Sequence, residues 1–262
     1  MLAEELIDVH EKALTVPPFA ERHPGLTAES GYAAARALHD YRLKNAWRPI
    51  GRKVGFTNRT LWERYGVREP MWGTVYDRTL IKADNDRATV PLEGLVQPRI
   101  EPEIAFKLAA TPKSADPKEL LRCIEWMAHS VEIVQCHHPN WKVTIADCTT
   151  DNGLHGRLIV GTPVAAAKVA GLAELLPFVE ARLYKGALMV DKGVGANVLG
   201  SPLLALAHLV ELLKRQPEAP PLLAGEIVTT GVLTDAHPAA AGDEWRTQIS
   251  GLPLPGLKIS FR

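Results

Sequence analysis

The run Arg99-Ile100-Glu101-Pro102-Glu103-Ile104-Ala105-Phe106-Lys107-Leu108 carries a spacing that could do chemistry. Apolar and polar residues alternate through it, the period of a half-buried strand, and side chains at i and i+2 share a face. Arg99, Glu101, Glu103 and Lys107 therefore fall on one side, and Ile100, Ile104, Phe106 and Leu108 on the other. Two carboxylates held side by side repel each other. A divalent cation relieves that repulsion, because hard cations prefer carboxylate oxygens. Taken alone, the same spacing also suits a solvated strand face on which Arg99 and Lys107 balance the acids.

The elements that must position these residues are legible in outline. Leu2, Leu6, Val9 and Ala13 mark a helical stripe that stops before Pro17-Pro18. A second helix starts after Thr27, an N-cap, and runs through Ala34, Leu38 and Tyr41. Lys53-Val54-Gly55-Phe56 is a short apolar strand broken by a glycine. Asp116-Pro117-Lys118-Glu119 opens a helix with an N-cap and a proline at its first position, and Leu120, Leu121, Ile124, Met127 and Ala128 follow as its apolar face. Val131 to Val134 is a buried strand interrupted by Glu132. Phe178 to Val190 is a hairpin turning at Lys185-Gly186. Ser201-Pro202 starts a helix with Leu203, Leu206, Val210 and Leu213 on one side. Glu226–Thr230, Glu244–Ile249 and Leu257–Phe261 are strands, and the proline-rich stretch from Pro217 to Pro221 is a loop. Late strands that do not alternate with helices argue against a doubly wound parallel sheet. They favour an α+β fold, a mixed β-sheet rolled into a barrel or sandwich behind N-terminal helices. The expected organisation is one catalytic domain over 1–262, with a helical segment at 1–48 and a β-rich core at 49–262.

Composition narrows the function classes. With 262 residues, 46% apolar, 23% charged and no formal net charge, the chain has no global attraction to nucleic acid or to anionic membranes. No segment reads as a bilayer span, and the acidic start MLAEELIDVHEKAL does not read as a secretory signal. Cys123, Cys136 and Cys148 form no C-x-x-C pair, which argues against a disulfide framework or a zinc knuckle and points to a reducing cytoplasm. No Walker loop, dinucleotide fingerprint or G-x-S-x-G elbow is present.

Taken in order, Lys53-Val54-Gly55-Phe56-Thr57, Glu101-Pro102-Glu103, Glu132, Asp147-Cys148-Thr149-Thr150-Asp151-Asn152, Val198-Leu199-Gly200-Ser201-Pro202, Leu223 to Gly231 and Gly242-Asp243 resemble the 2-keto-4-pentenoate hydratase and 4-oxalocrotonate decarboxylase family of the fumarylacetoacetate hydrolase superfamily. The resemblance spans nearly the whole chain. It implies the fumarylacetoacetate hydrolase C-terminal type of β-roll and a Mg²⁺ or Mn²⁺ site made by Glu101, Glu103 and Glu132. Three carboxylates suit a hard octahedral ion with positions left for substrate, and a lone buried Glu132 needs a compensating cation. Lys53 resembles the active-site lysine, a proton shuttle whose pKa partial desolvation would lower. Arg99, Asp151 and Asn152 are the expected substrate-binding residues. The resemblance also implies a homo-oligomer, with a related enzyme as a further candidate partner.

Two departures bear on the reaction. Pro70-Met71-Trp72-Gly73 has Met71 where the family usually has an acid. Val134-Gln135-Cys136-His137 replaces the usual I-D-S-R run. His137, His138 and His155 are read as surface histidines. The leading expectation is hydration of a 2-hydroxy-2,4-dienoate to a 4-hydroxy-2-oxo acid. The alternatives are decarboxylation of a 2-oxo-3-enedioate, C–C hydrolysis of an acylpyruvate-like acid, for which no Glu-His pair is visible, and a non-catalytic metal-binding subunit.

Overall fold

The computed structural model describes residues 2–216 and 218–262; Pro217, the first residue of the expected proline-rich loop, lies outside them. Helices α1 (Leu2–Glu11), α2 (Phe19–Arg22) and α3 (Ala28–Lys44) form the N-terminal layer. Thr27 caps α3 in a reciprocal box with Ser30. Its inward stripe is Gly31, Ala34, Leu38 and Arg42; Tyr41 points away, because position 42 and not 41 completes the turn from Leu38. Gly31 is where α3 meets the later helix Ile145–Thr150: a Cβ there would lie 2.3 Å from Thr149 Oγ1 and 2.9 Å from Ala146 O. The first stripe ends sooner than expected, since α1 stops at Glu11 and Ala13 has φ 48°.

The strands are β1 (Pro49–Gly55), β2 (Met71–Tyr76), β3 (Leu80–Lys82), β4 (Arg87–Val90), β5 (Arg99–Leu108), β6 (Ile124–Val134), β7 (His155–Val160), β8 (Val164–Ala165), β9 (Glu180–Lys185), β10 (Leu188–Val194), β11 (Ile227–Thr229), β12 (His237–Pro238), β13 (Glu244–Ser250) and β14 (Lys258–Phe261). Among the described residues they make two sheets. One runs β2-β1-β11-β5-β6-β7-β3, with β12 and β8 added at β5 and β6; the other runs β10-β9-β13-β14-β4. Both are mixed: β1/β11, β3/β7 and β14/β4 are parallel and the remaining pairs antiparallel. This is the expected α+β class.

Strand β5 is the axis of the larger sheet. It pairs with β6 from Arg99↔Val134 to Leu108↔Ile124. That long ladder corrects one expectation: the helix opened by Asp116 ends at Cys123, and Ile124, Met127 and Ala128 lie in β6. Continuous pairing with β5 overrides a local pattern that suits a helix equally well. On its other edge β5 meets β11 at Ala105–Lys107 and β12 at Arg99–Ile100, and the stretch between those two strands leaves the regular ladder. Pro102 sits opposite this interruption, its carbonyl accepting from Leu233 N at 2.8 Å. A residue with no N–H is tolerated in a central strand at such a place.

Ile104, Phe106 and Leu108 of β5 enter the main core with Leu203, Leu206, Val210 and Leu213 of the helix Pro202–Arg215. The stretch Gly195–Arg215 corrects the reading that no segment suits a bilayer span, since it is long and apolar enough by composition; 61% of its apolar window is buried within the fold, which makes it a core element. The hairpin falls where expected, with Gly186 at φ 57° between β9 and β10.

Candidate metal centre

Register brings the acids together. Glu101 of β5 stands directly across from Glu132 of β6, and Glu103 follows two residues along the same face of β5. One carboxylate oxygen from each of the three lies within 4.8 Å of the others. Like charges directly opposite on a sheet are destabilising, so the register alone predicts an unrelieved repulsion. Glu103 and Glu132 are fully buried and Glu101 is partly exposed.

Lys53 reaches the cluster from β1. Its Nζ lies 3.2 Å from Glu132 Oε2, and the side chain is 3% exposed. Glu103 Oε2 accepts the Gly231 N–H at 2.9 Å. Gly231 has φ +102°, and a Cβ there would fall 1.9 Å from Thr57 Oγ1, so only glycine brings that N–H to the carboxylate. Glu132 Oε1 accepts from His155 Nδ1 at 2.7 Å, and His155 Nε2 faces Thr79 Oγ1 at 2.9 Å.

The donor set fits a hard divalent cation. Three carboxylates gather beside one ammonium, which contacts Glu132, and Glu103 Oε1 is buried with no hydrogen-bond partner among the described residues. Without a dication Glu101 and Glu103 are biased toward their protonated forms: burial pushes each up to about 8, their carboxylate neighbours adding to the rise and Lys53 drawing both back. Glu132 is raised by burial against the pull of Lys53. For Lys53 the expected depression is corrected. Burial lowers it, but Glu132, Glu101 and Glu103 together outweigh burial and hold the ammonium above its ordinary value.

A stability prediction follows from the two values near 8. An acid whose folded-state pKa is raised binds more protons folded than unfolded, so the metal-free protein loses stability as pH rises from about 4.5 to about 8. A cation that takes the place of those protons restores it. The rise in melting temperature on adding Mg²⁺ is therefore expected to be larger at pH 9 than at pH 6. An equal rise at both pH values would contradict the assignment.

Beside the cluster lies a pocket of about 110 Å³, lined by Lys53, Met71, Arg99, Glu101, Trp141 and Leu154 among others. Arg99 is placed in that wall, its guanidinium carbon 4.2 Å from the centre of the Trp141 ring. A larger cleft of about 430 Å³ opens on the other side of β1 and β2. Strand alternation sends Arg52 and Trp72 to that cleft while Lys53 and Met71 face the acids. The smaller pocket has the chemistry.

Asp151 and Asn152, expected to touch substrate, are not brought to this pocket; Gly153 and Leu154 of the same turn line it. Asn152 bridges the backbone of Thr74, Oδ1 accepting from Thr74 N and Nδ2 donating to Thr74 O. Asp151 is fully buried between His137 Nδ1 at 2.8 Å and His10 Nε2 at 2.8 Å. Arg42 Nη2 lies 3.2 Å from His10 Nδ1; a guanidinium only donates, so Nδ1 accepts and the ring proton is on Nε2, the nitrogen nearer Asp151. Burial alone would raise the Asp151 carboxyl, but His137 and His10 reverse this and hold it well below the usual range. This cluster ties α1 and α3 to the core. It also corrects the reading of His137, His138 and His155 as surface residues: all three are buried. The signal available in the sequence was weak, since a histidine's partner is settled by tertiary contacts and not by its neighbours.

Sequence and structure comparisons agree with this architecture. The chain is 31% identical over 264 residues to the 2-hydroxyhexa-2,4-dienoate hydratase of Comamonas testosteroni, a match covering 98% of this chain and 96% of that one. It is 28% identical over 253 residues to a 2-keto-4-pentenoate hydratase of Paraburkholderia xenovorans, covering 95% and 90%. The 4-oxalocrotonate decarboxylase from Pseudomonas putida G7, complexed with magnesium and adipate, superposes with a TM-score of 0.90 at 25% identity, covering 100% of this chain and 96% of that one. A fumarylpyruvate hydrolase from Pseudomonas aeruginosa, in complex with Mn²⁺ and pyruvate, shares the fold alone, with a TM-score of 0.60 at 11% identity over 82% of this chain and 89% of that one. No family model matches the chain. By its relatives and its fold, the chain belongs to the 2-keto-4-pentenoate hydratase and 4-oxalocrotonate decarboxylase family of the fumarylacetoacetate hydrolase superfamily.

Proposed function

We propose that the chain is a divalent-metal-dependent hydratase that converts a 2-hydroxy-2,4-dienoate, by way of its 2-oxo-enoate tautomer, to a 4-hydroxy-2-oxo acid. The observation that carries this reading is the convergence of Glu101, Glu103 and Glu132 beside a pocket that Lys53 also lines. These three residues would hold Mg²⁺ or Mn²⁺, which when bound supplies Lewis-acid polarisation of the substrate's 2-oxygen. Lys53 Nζ delivers a proton to the terminal carbon of the dienol and recovers one from the 2-hydroxyl, leaving a carbonyl conjugated to a C=C bond. Water then adds, its hydroxyl at C4 and its proton at C3. Arg99, at the pocket wall, receives the substrate carboxylate. Asp151 and Asn152 act one layer out, by fixing the turn that presents Gly153 and Leu154. Assembly as a homo-oligomer, alone or with a related enzyme, belongs to the same reading. So does a reducing cytoplasmic setting, which three buried free cysteines suit.

Hydration is favoured over its closest rival by the pocket wall. The likeness to a decarboxylase complexed with adipate raises decarboxylation of an oxo-enedioate. The second carboxylate of a diacid needs a cation of its own, beyond the ion and the arginine that take the 2-oxo acid end. The lysine and arginine side chains that line the pocket are Lys53, already against the three acids, and Arg99. Met71, Val134, Val143 and Leu154 make much of the remaining wall apolar, and the polar side chains Thr57 and Asn58 in it are neutral, which suits a substrate tail with no second charge. C–C hydrolysis is disfavoured because the Glu132–His155 pair, the Glu-His pair that the sequence did not reveal, has both imidazole nitrogens engaged. A purely structural subunit has no use for a lysine buried against the acids. Purified protein with Mg²⁺ and 2-hydroxypenta-2,4-dienoate is expected to bleach the diene absorbance. It is expected to release CO₂ from 2-oxohex-3-enedioate slowly by comparison. No bleaching with or without metal would sink the hydratase reading, and fast CO₂ release would favour its rival.

A further inference from the structure

Glu132 is the acid with most asked of it. Its Oε2 faces Lys53 while Oε1 is held from behind, and the group behind it is not a water or a backbone amide but an imidazole. His155 opens β7, the strand that pairs with β6, so the contact is made across adjacent strands of one sheet. The ring is bracketed at both nitrogens: Nδ1 lies 2.7 Å from Glu132 Oε1 and Nε2 lies 2.9 Å from Thr79 Oγ1. Thr79 is itself fixed in the turn after β2, where its Oγ1 accepts the Tyr76 N–H at 3.2 Å. The single hydroxyl hydrogen of Thr79 has two acceptors at 2.9 Å, Tyr76 O and His155 Nε2. Given to Nε2, it makes that nitrogen an acceptor and leaves the ring proton on Nδ1, facing the carboxylate. Given to Tyr76 O, it leaves two lone pairs, on Nε2 and Oγ1, facing each other unless the ring proton moves to Nε2. That move in turn sets the Nδ1 lone pair against Glu132.

We propose that Thr79 and His155 are positioning residues for the metal centre: Thr79 holds the His155 ring by donating to Nε2, and His155 Nδ1–H fixes Glu132 so that its other oxygen is aimed at the cation. The inference rests on the reading of Glu101, Glu103 and Glu132 as metal ligands. Partners of this kind orient a ligand before the ion arrives, and their loss typically weakens metal affinity about 10- to 100-fold. Neither residue lines the pocket beside the acids, so neither is placed to touch substrate.

The test uses Mg²⁺ titration calorimetry and Mn²⁺ paramagnetic resonance on the whole protein, with ¹⁵N imidazole spectra of the wild type. His155→Leu is expected to bind either ion about 10- to 100-fold more weakly. His155→Asn, whose amide N–H can stand where Nδ1–H stood, is expected to recover most of that loss. Thr79→Val, which leaves Nε2 facing a methyl group and the ring less firmly held, is expected to weaken binding in the same direction with the proton still on Nδ1, whereas Thr79→Ser leaves binding unchanged. A general packing role would spare Thr79→Val, the closer match in shape, and penalise Thr79→Ser. Binding by Thr79→Val and His155→Leu within about twofold of wild type overturns the proposal while leaving the metal site standing. A wild-type spectrum with the proton on Nε2 overturns it even if the leucine variant fails to fold. Wild-type protein that binds neither ion overturns both the proposal and the reading beneath it.

Discussion

Glu103→Gln is expected to weaken Mg²⁺ binding by more than ~100-fold and to remove metal-dependent turnover with it. Glu103 is fully buried, and its Oε1 has no hydrogen-bond partner among the described residues, which leaves that oxygen available to a cation. The amide keeps the size of the side chain and loses the negative charge. It can also turn an N–H₂ group toward Glu101 and Glu132, satisfying them as a proton would. The substitution is thus expected to stabilise the metal-free fold at alkaline pH while weakening metal binding, an opposition that general damage to the protein would not produce. Glu119→Gln is the matched control. Glu119 lies in the helix Pro117–Cys123, accepts from Lys113 N and Ser114, and neither joins the acid cluster nor lines its pocket, so its loss leaves Mg²⁺ affinity unchanged. Equal effects of the two variants in calorimetry would undo the assignment.

Lys53→Met separates chemistry from metal binding. A positioned proton donor contributes roughly 10²–10⁴ to a rate, and turnover is expected to fall by about that factor. Removing the ammonium that contacts Glu132 and acts electrostatically on Glu101 and Glu103 leaves the carboxylates' charge less compensated, so Mg²⁺ affinity is expected to hold or rise. Loss of turnover together with loss of metal binding would make Lys53 a structural counter-ion and nothing more. Single-turnover bleaching and calorimetry on the same preparation distinguish the two outcomes.

How much of this was legible in the sequence depends on the range of the interaction. The shared face of Glu101 and Glu103 follows from the two-residue period of a strand and needs no tertiary information. The caps at Thr27, Asp116 and Ser201 are local hydrogen bonds and fall where the sequence places them. The approach of Glu132 to Glu101 is a matter of register between β5 and β6, and came only through resemblance. The end of the helix at Cys123 was illegible for the same reason: ten residues of pairing with β5 decide that Ile124 to Ala128 are strand. The histidines were the least legible. His155 reaches Glu132 across 23 positions and His10 reaches Asp151 from α1, contacts that no periodicity announces. Asp151 and Asn152 lie beside the site as a segment, yet their polar atoms face away from it, a distinction of side-chain direction within a single turn.

The central claim concerns where one ion sits, and an anomalous difference map from crystals grown with Mn²⁺ addresses it directly. Glu101, Glu103 and Glu132 are not the sole candidate ligands among the described residues, because His10, His137 and Asp151 also gather ligand atoms within 4.8 Å. The account predicts one strong peak about 2.2 Å from an oxygen of each of the three glutamates, with Lys53 Nζ beside it and no peak at the histidine cluster. A peak between His10, His137 and Asp151, or none at the glutamates at saturating Mn²⁺, would contradict it.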